Sequence, residues 1–170
     1  LRSAIGIIPQ NPTLFSGTIR SNLDPFGSFS DAKIWDVLEK CGLKDHVQTM
    51  DEGIDSKVVE YGENLSQGQR QLLCLGRVLL KDCKILLLDE ATSSVDYETD
   101  QMIQETLRKN FKNTTVLTIA HRINTIMDSD KIIVLDEGRV AEVGSPAELL
   151  EDSSGNGGGH FKMLVEASNQ

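Results

Sequence analysis

The run Ile85-Leu86-Leu87-Leu88, followed at once by Asp89-Glu90, most narrows what this chain can fold into. Consecutive apolar residues leave no face of a strand for water, so such a strand is buried on both sides. Strands of that kind belong to parallel sheets covered by helices. Val116 to Ala120 and Ile132 to Leu135 read as a second and a third buried strand, and Ile5 to Pro9 as an earlier short one. Helical stretches lie between strands, which implies right-handed crossovers and an α/β fold with a mainly parallel sheet.

The helices announce themselves by caps and period. Ser30 can cap a helix over Asp31 to Cys41, whose Ile34, Val37, Leu38 and Cys41 share one face before Gly42 ends it. Asp51 to Asn64 shows no periodicity and reads as a loop. Ser66-Gln67-Gly68-Gln69 has capping-box spacing and opens a helix with Leu72, Leu75, Gly76 and Leu79 on one stripe. A further helix is expected from about Tyr97 to Asn110. Asp136-Glu137-Gly138 reads as a hairpin turn into Arg139 to Val143, and Ser145-Pro146-Ala147-Glu148 as another helix start. Ser153 to Gly159 reads as a flexible insert.

Composition removes several classes of function. With 17 basic and 26 acidic residues the formal charge is −9, which argues against holding nucleic-acid phosphates electrostatically. No segment approaches the ~20 apolar residues of a membrane span. A chain of 170 residues suits one domain, or one with a small subdomain. Cys41, Cys74 and Cys83 show no metal-like spacing and read as reduced thiols of a cytosolic compartment. The chain begins at Leu1, which reads as a piece of something longer.

In an open α/β sheet, ligands bind at the carboxyl ends of the strands. Those ends carry Gln10, then Asp89 and Glu90, then His121, and finally Asp136. An apolar strand ending in Asp is how phosphate-loop NTPases hold Mg²⁺, and a second carboxylate beside it can accept a proton from water. The plain alternative is a strand ending at an acidic, solvated turn. Ser66 to Gln69 places helix N–H groups and Gly68 where an anion can approach, although a helix cap already explains the spacing. His121 suits a bond to a phosphate, or a structural role.

Taken in order, Gln10, Leu65-Ser66-Gln67-Gly68-Gln69, Ile85 to Glu90, Ser93-Ser94-Val95-Asp96 and His121 resemble the ATP-binding domain of ABC transporters. The stretches from Pro9 to Thr18, Asn22-Leu23-Asp24-Pro25 and Gly62 to Gln71 are similar to the second such domain of subfamily C, the multidrug-resistance-associated type. Gln67 departs from the Leu-Ser-Gly-Gly-Gln pattern, as that domain's signature commonly does. No Gly-x-x-x-x-Gly-Lys-[Ser/Thr] loop occurs in the chain. The family carries it upstream of the Gln loop, so the expected fold is a RecA-like P-loop NTPase sheet with its N-terminal part missing and a helical subdomain inserted. The division expected is about 11–80 for that subdomain, 1–10 and 81–150 for the sheet core, and 151–170 for insert and tail.

The resemblance implies the site as well. Asp89, with Gln10, would hold Mg²⁺; Glu90 would be the general base; His121 would bond the γ-phosphate of ATP. Ser66, Gly68 and Gln69 would face ATP held by a partner domain, and Asp96 would meet that domain. The implied partners are the first nucleotide-binding domain and the transmembrane domains of one transporter, on the cytosolic face of a membrane. The rival expectations are a catalytically silent interaction module and a soluble ABC ATPase.

Overall fold

The computed structural model of the protein describes residues 4–90, 95–119, 123–151 and 159–168. His121, Ser93 and Ser94 lie outside them, as does nearly all of the insert expected at Ser153 to Gly159. The chain forms two compact units, Leu1–Ile119 and Ala120–Gln170.

In chain order the first unit contains β1 (Ile5–Ile8), β2 (Gly17–Thr18), α1 (Ile19–Leu23), α2 (Asp31–Lys40), α3 (Lys44–Gln48), β3 (Lys57–Val58), α4 (Gln67–Lys81), β4 (Ile85–Asp89), α5 (Tyr97–Asn110) and β5 (Thr115–Ile119). Strands β1, β4 and β5 form a parallel sheet in that order, with Ile8 level with Leu88 and Asp89 level with Ile119. This register carries Gln10 and Glu90, each two residues beyond a paired position, to the same end of the sheet.

The caps form as the spacing predicts. Ser30 accepts the Lys33 N–H, and Ser66 and Gln69 close a reciprocal capping box at the head of α4. Helix α4 lies directly on β1: a Cβ added at Gly6 would come within 2.6 Å of Val78 and 2.9 Å of Cys83. Their packing buries Ile8, Leu73, Leu75, Val78, Leu86 and Leu88 in the main core. The three cysteines are free and buried, and burial pushes the Cys41 thiol up to about 12.

Two expectations change. The sheet is not buried on both faces: Ile7 is 59% exposed, Leu117 58% and Ile119 63%. Alternation along β1 and β4 puts Gly6, Ile8, Leu86 and Leu88 on the covered face and their neighbours on the other, which the described residues leave largely open. The loop expected over Asp51 to Asn64 contains turns of 3-10 helix at Gly53–Asp55 and Glu60–Gly62, and β3, which pairs with β2. Two-residue pairings carry too little pattern to be seen in a sequence. The hairpin expected after Ile132 to Leu135 lies in the second unit.

That unit comprises α6 (Ile123–Ile126), β6 (Ile132–Asp136), β7 (Arg139–Gly144), α7 (Pro146–Glu151) and α8 (His160–Ser168). Ile132 to Leu135 pairs antiparallel with β7, the hairpin that the sequence predicts. The connection is the foreseen tight turn, with Glu137 at φ 46° and Gly138 at φ 75°, as a two-residue hairpin loop requires. Ile132, Val134, Leu149 and Phe161 make a small core. Both carboxylate oxygens of Glu142 accept N–H groups at the start of α8, from His160 at 2.7 Å and Phe161 at 3.0 Å.

Candidate nucleotide site

Gln10 and Glu90, 80 residues apart, meet at the carboxyl end of the sheet: Gln10 Nε2 donates to Glu90 Oε2 at 2.6 Å. The parallel register brings their backbones level, and the hydrogen bond fixes the side chains. Glu90 sits at φ 47°, in the left-handed region that side chains other than glycine rarely adopt. Its N–H donates to the Ile119 carbonyl at 2.9 Å, so the strained residue is anchored on β5 while its carboxylate is held by Gln10, just beyond β1. Asp89 is the last residue of β4 and is exposed.

The head of α4 is assembled separately. Ser66 Oγ accepts the Gln69 N–H at 3.1 Å, and Gln69 Oε1 accepts the Ser66 N–H at 2.9 Å. The Ser66 hydroxyl proton and the Gln69 amide nitrogen stay out of that box. Gly68 is buried, and the place of its missing Cβ is filled by the Thr99 side chain, 2.9 Å away. Within the chain this glycine therefore lets α4 approach α5; the anion reading of Gly68 rests on its backbone alone. Asp96 caps α5, accepting the Thr99 N–H at 2.9 Å and the Thr99 hydroxyl at 2.7 Å. The Thr99 N–H first, and then its hydroxyl, hold the Asp96 carboxyl below its ordinary value. Thr99 thus joins Gly68 to Asp96, a link that no motif marked. Gln67 is half-buried.

Behind this site Arg77 of α4 holds the segment that follows Gln10. Its Nε donates to the Asn22 carbonyl at 2.6 Å, one Nη to the Thr13 carbonyl at 2.7 Å, and the other to Asn22 Oδ1 at 2.8 Å. The guanidinium carbon lies 5.8 Å from the Phe15 ring centre. Asn22, 3% exposed, also accepts the Phe15 N–H and donates to the Phe15 and Thr18 carbonyls. Sequence periodicity could have flagged Arg77 only as a polar residue bordering an apolar stripe.

Magnesium takes oxygen donors and commonly keeps water and substrate phosphate among its ligands. Asp89 and the Gln10 amide oxygen are such donors, and the Gln10 nitrogen is engaged by Glu90. No group of three or more His, Cys, Asp or Glu that could hold a metal ion converges among the described residues. The donor set suits a cation that arrives with a phosphate. No helix among the described residues is long and apolar enough to cross a membrane.

A family model described as "ABC transporter" matches residues 1–93, and the chain belongs to that family. It is 60% identical over its full length to "ABC transporter C family member 5" of Arabidopsis thaliana. It is 56% identical over 98% of its length to "ATP-binding cassette sub-family C member 2" of Rattus norvegicus. In each case it spans 11% of the relative. Among solved structures, "Structure of a bacterial Atm1-family ABC exporter with ATP bound" superposes with a TM-score of 0.89 at 36% identity, over 99% of this chain and 29% of that one. The α/β P-loop NTPase fold and the subfamily C likeness expected from the motifs both stand.

Proposed function

We propose that the chain is part of the ATP-hydrolysing, nucleotide-binding domain of a subfamily C exporter, coupling ATP hydrolysis to transport across a membrane. The Gln10–Glu90 hydrogen bond carries this reading, because it brings two separated motifs to one point at the sheet end. Phosphoryl transfer needs positioning and charge neutralisation more than covalent chemistry from the protein.

In this reading Glu90 accepts the proton of the attacking water, and Gln10 orients the Glu90 carboxylate through its amide nitrogen. Asp89 and the Gln10 amide oxygen hold Mg²⁺, which when bound neutralises charge on the phosphates. The Ser66 hydroxyl, the Gly68 backbone and the Gln69 amide face ATP carried by the first nucleotide-binding domain of the same transporter, head to tail. Asp96, fixed by Thr99, meets that domain, and His121 bonds the γ-phosphate. Residues of about 11–80 act as the helical subdomain, those of 1–10 and 81–150 as the sheet core, and 151–170 as insert and tail. The transmembrane domains are the other partner, which puts the chain on the cytosolic face of the membrane.

The test is Glu90→Gln in the full-length protein. It keeps the shape of the site and removes the proton acceptor, so steady-state hydrolysis falls by about 10²-fold or more while ATP binding remains. Near-normal turnover in that variant would remove Glu90 from the role of base.

A further inference from the structure

We infer that Gln71 is a positioning residue for hydrolysis, setting Gln10 against Glu90 from within α4; the inference rests on the catalytic reading of Glu90 above. Gln71 lies one turn inside the capped head of α4 and is 2% exposed. Its Nε2 donates to the Pro9 carbonyl at 3.3 Å. Only the nitrogen of that amide can donate to a carbonyl, so the bond fixes which way the amide is turned. Its Oε1 is buried and has no partner among the described residues.

The Pro9 carbonyl belongs to the peptide unit whose nitrogen is that of Gln10. A peptide unit is planar, so holding its oxygen fixes the plane from which Gln10 departs. Gln10 then donates to Glu90 Oε2 at 2.6 Å. A continuous relay therefore runs from α4 through Gln71, the Pro9–Gln10 peptide and the Gln10 amide to the carboxylate. Its starting helix is the one that Ser66 and Gln69 cap, so any displacement of that helix head reaches Glu90 by a path of hydrogen bonds.

Packing does not explain a glutamine here. Residues 71, 75 and 78 share the buried stripe of α4, where Leu75 and Val78 are apolar. A buried amide with an unpaired acceptor is unfavourable compared with an apolar side chain of the same shape. Pro9 as a residue is only half-buried, so loss of the amide need not strand its carbonyl away from water. What Gln71 adds is direction at Gln10.

The experiment uses the full-length protein with Gln71→Met, Gln10→Ala, the double variant and Glu90→Gln, measuring ATPase kcat and KM and the thermal midpoint. For Gln71→Met the midpoint is expected to stay or rise and kcat to fall about five- to tenfold, with KM within about twofold, the effect of losing one orienting hydrogen bond. In the Gln10→Ala background the same substitution should have no further effect, because its route is gone. Gln71→Leu gives a second apolar variant with the same expectations if the methionine form does not accumulate. Wild-type kcat in the apolar variants, an undiminished effect in the Gln10→Ala background, or a loss of kcat only alongside a lowered midpoint would each overturn the inference. Glu90→Gln separates the two claims: normal turnover there defeats the catalytic reading itself, whereas lost turnover there with a silent Gln71 defeats only the relay.

Discussion

Replacing Arg77 with methionine should destabilise the first unit by about 2–4 kcal/mol, and the size follows from counting what each acceptor loses. Arg77 donates to the Asn22 carbonyl, the Thr13 carbonyl and Asn22 Oδ1. Thr13 is exposed, so its carbonyl regains water and costs little. Asn22 Oδ1 keeps the Phe15 N–H as a partner. The Asn22 carbonyl belongs to a residue 3% exposed, and losing its charged donor there costs about 1–3 kcal/mol. The contact with the Phe15 ring, 68% exposed, adds about 0.5–1 kcal/mol. For a domain of this size 1 kcal/mol moves the melting temperature by about 2–4 °C, so the fall should be about 4–16 °C. Methionine keeps most of the stem packing, which confines the loss to the guanidinium. Arg77→Lys should recover only a minor part, because a single ammonium cannot reproduce the planar fork. Thermal unfolding of the wild type and both variants decides it: a lysine form that melts with the wild type, or a methionine form within about 2 °C of it, would refute the orphaned-carbonyl argument.

Burial works to raise the Asp24 carboxyl, but the N–H groups of Ser28, Phe29, Phe26 and Gly27 together hold it below its ordinary value. Asp24 therefore adds stability above the unfolded carboxylate pKa, about 3.9, that is lost as pH falls through the lower folded value. The stability gap between wild type and Asp24→Asn should be full at neutral pH and close below about pH 4, as read by urea unfolding against pH; a gap independent of pH removes the carboxylate from that role. Glu142→Ala should lower amide-exchange protection at His160 and Phe161 about five- to thirtyfold, the equivalent of a lost helix cap worth about 1–2 kcal/mol. Unchanged protection there would mean that Phe161 packing alone holds the start of α8. This chain by itself should bind Mg-ATP with Kd weaker than about 10 μM, because it contains no phosphate loop, and calorimetry showing tighter binding would contradict that.

The local devices were legible in the residues, because each depends on neighbours in sequence. Ser66 with Gln69 and Ser145 with Glu148 cap as their spacing demands, since a capping box closes within one turn. The Glu137-Gly138 turn needs positive φ, and Gly138 announces it. The ends of β1 and β4 were also readable as the place for polar side chains, and the motif order was enough to place the chain in its family.

What the sequence could not say is which of those residues touch. The parallel register alone makes Gln10 level with Glu90, and that register is a property of two strands 80 residues apart. Gly68 read as a close approach to the backbone; the fold also uses its missing Cβ to seat Thr99 of a helix whose placement no local pattern reveals. In the spacing of α4 alone, Gln71 and Arg77 are polar interruptions of an apolar stripe, and only packing puts carbonyl oxygens opposite them. The apolar run of β4 promised burial on both faces, yet burial belongs to the layers around a strand, and here Leu86 and Leu88 are buried while Ile85 is 39% exposed. Periodicity specifies which side chains can be covered; only the tertiary structure decides what covers them, because contacts between distant segments have no signature in the spacing of either one.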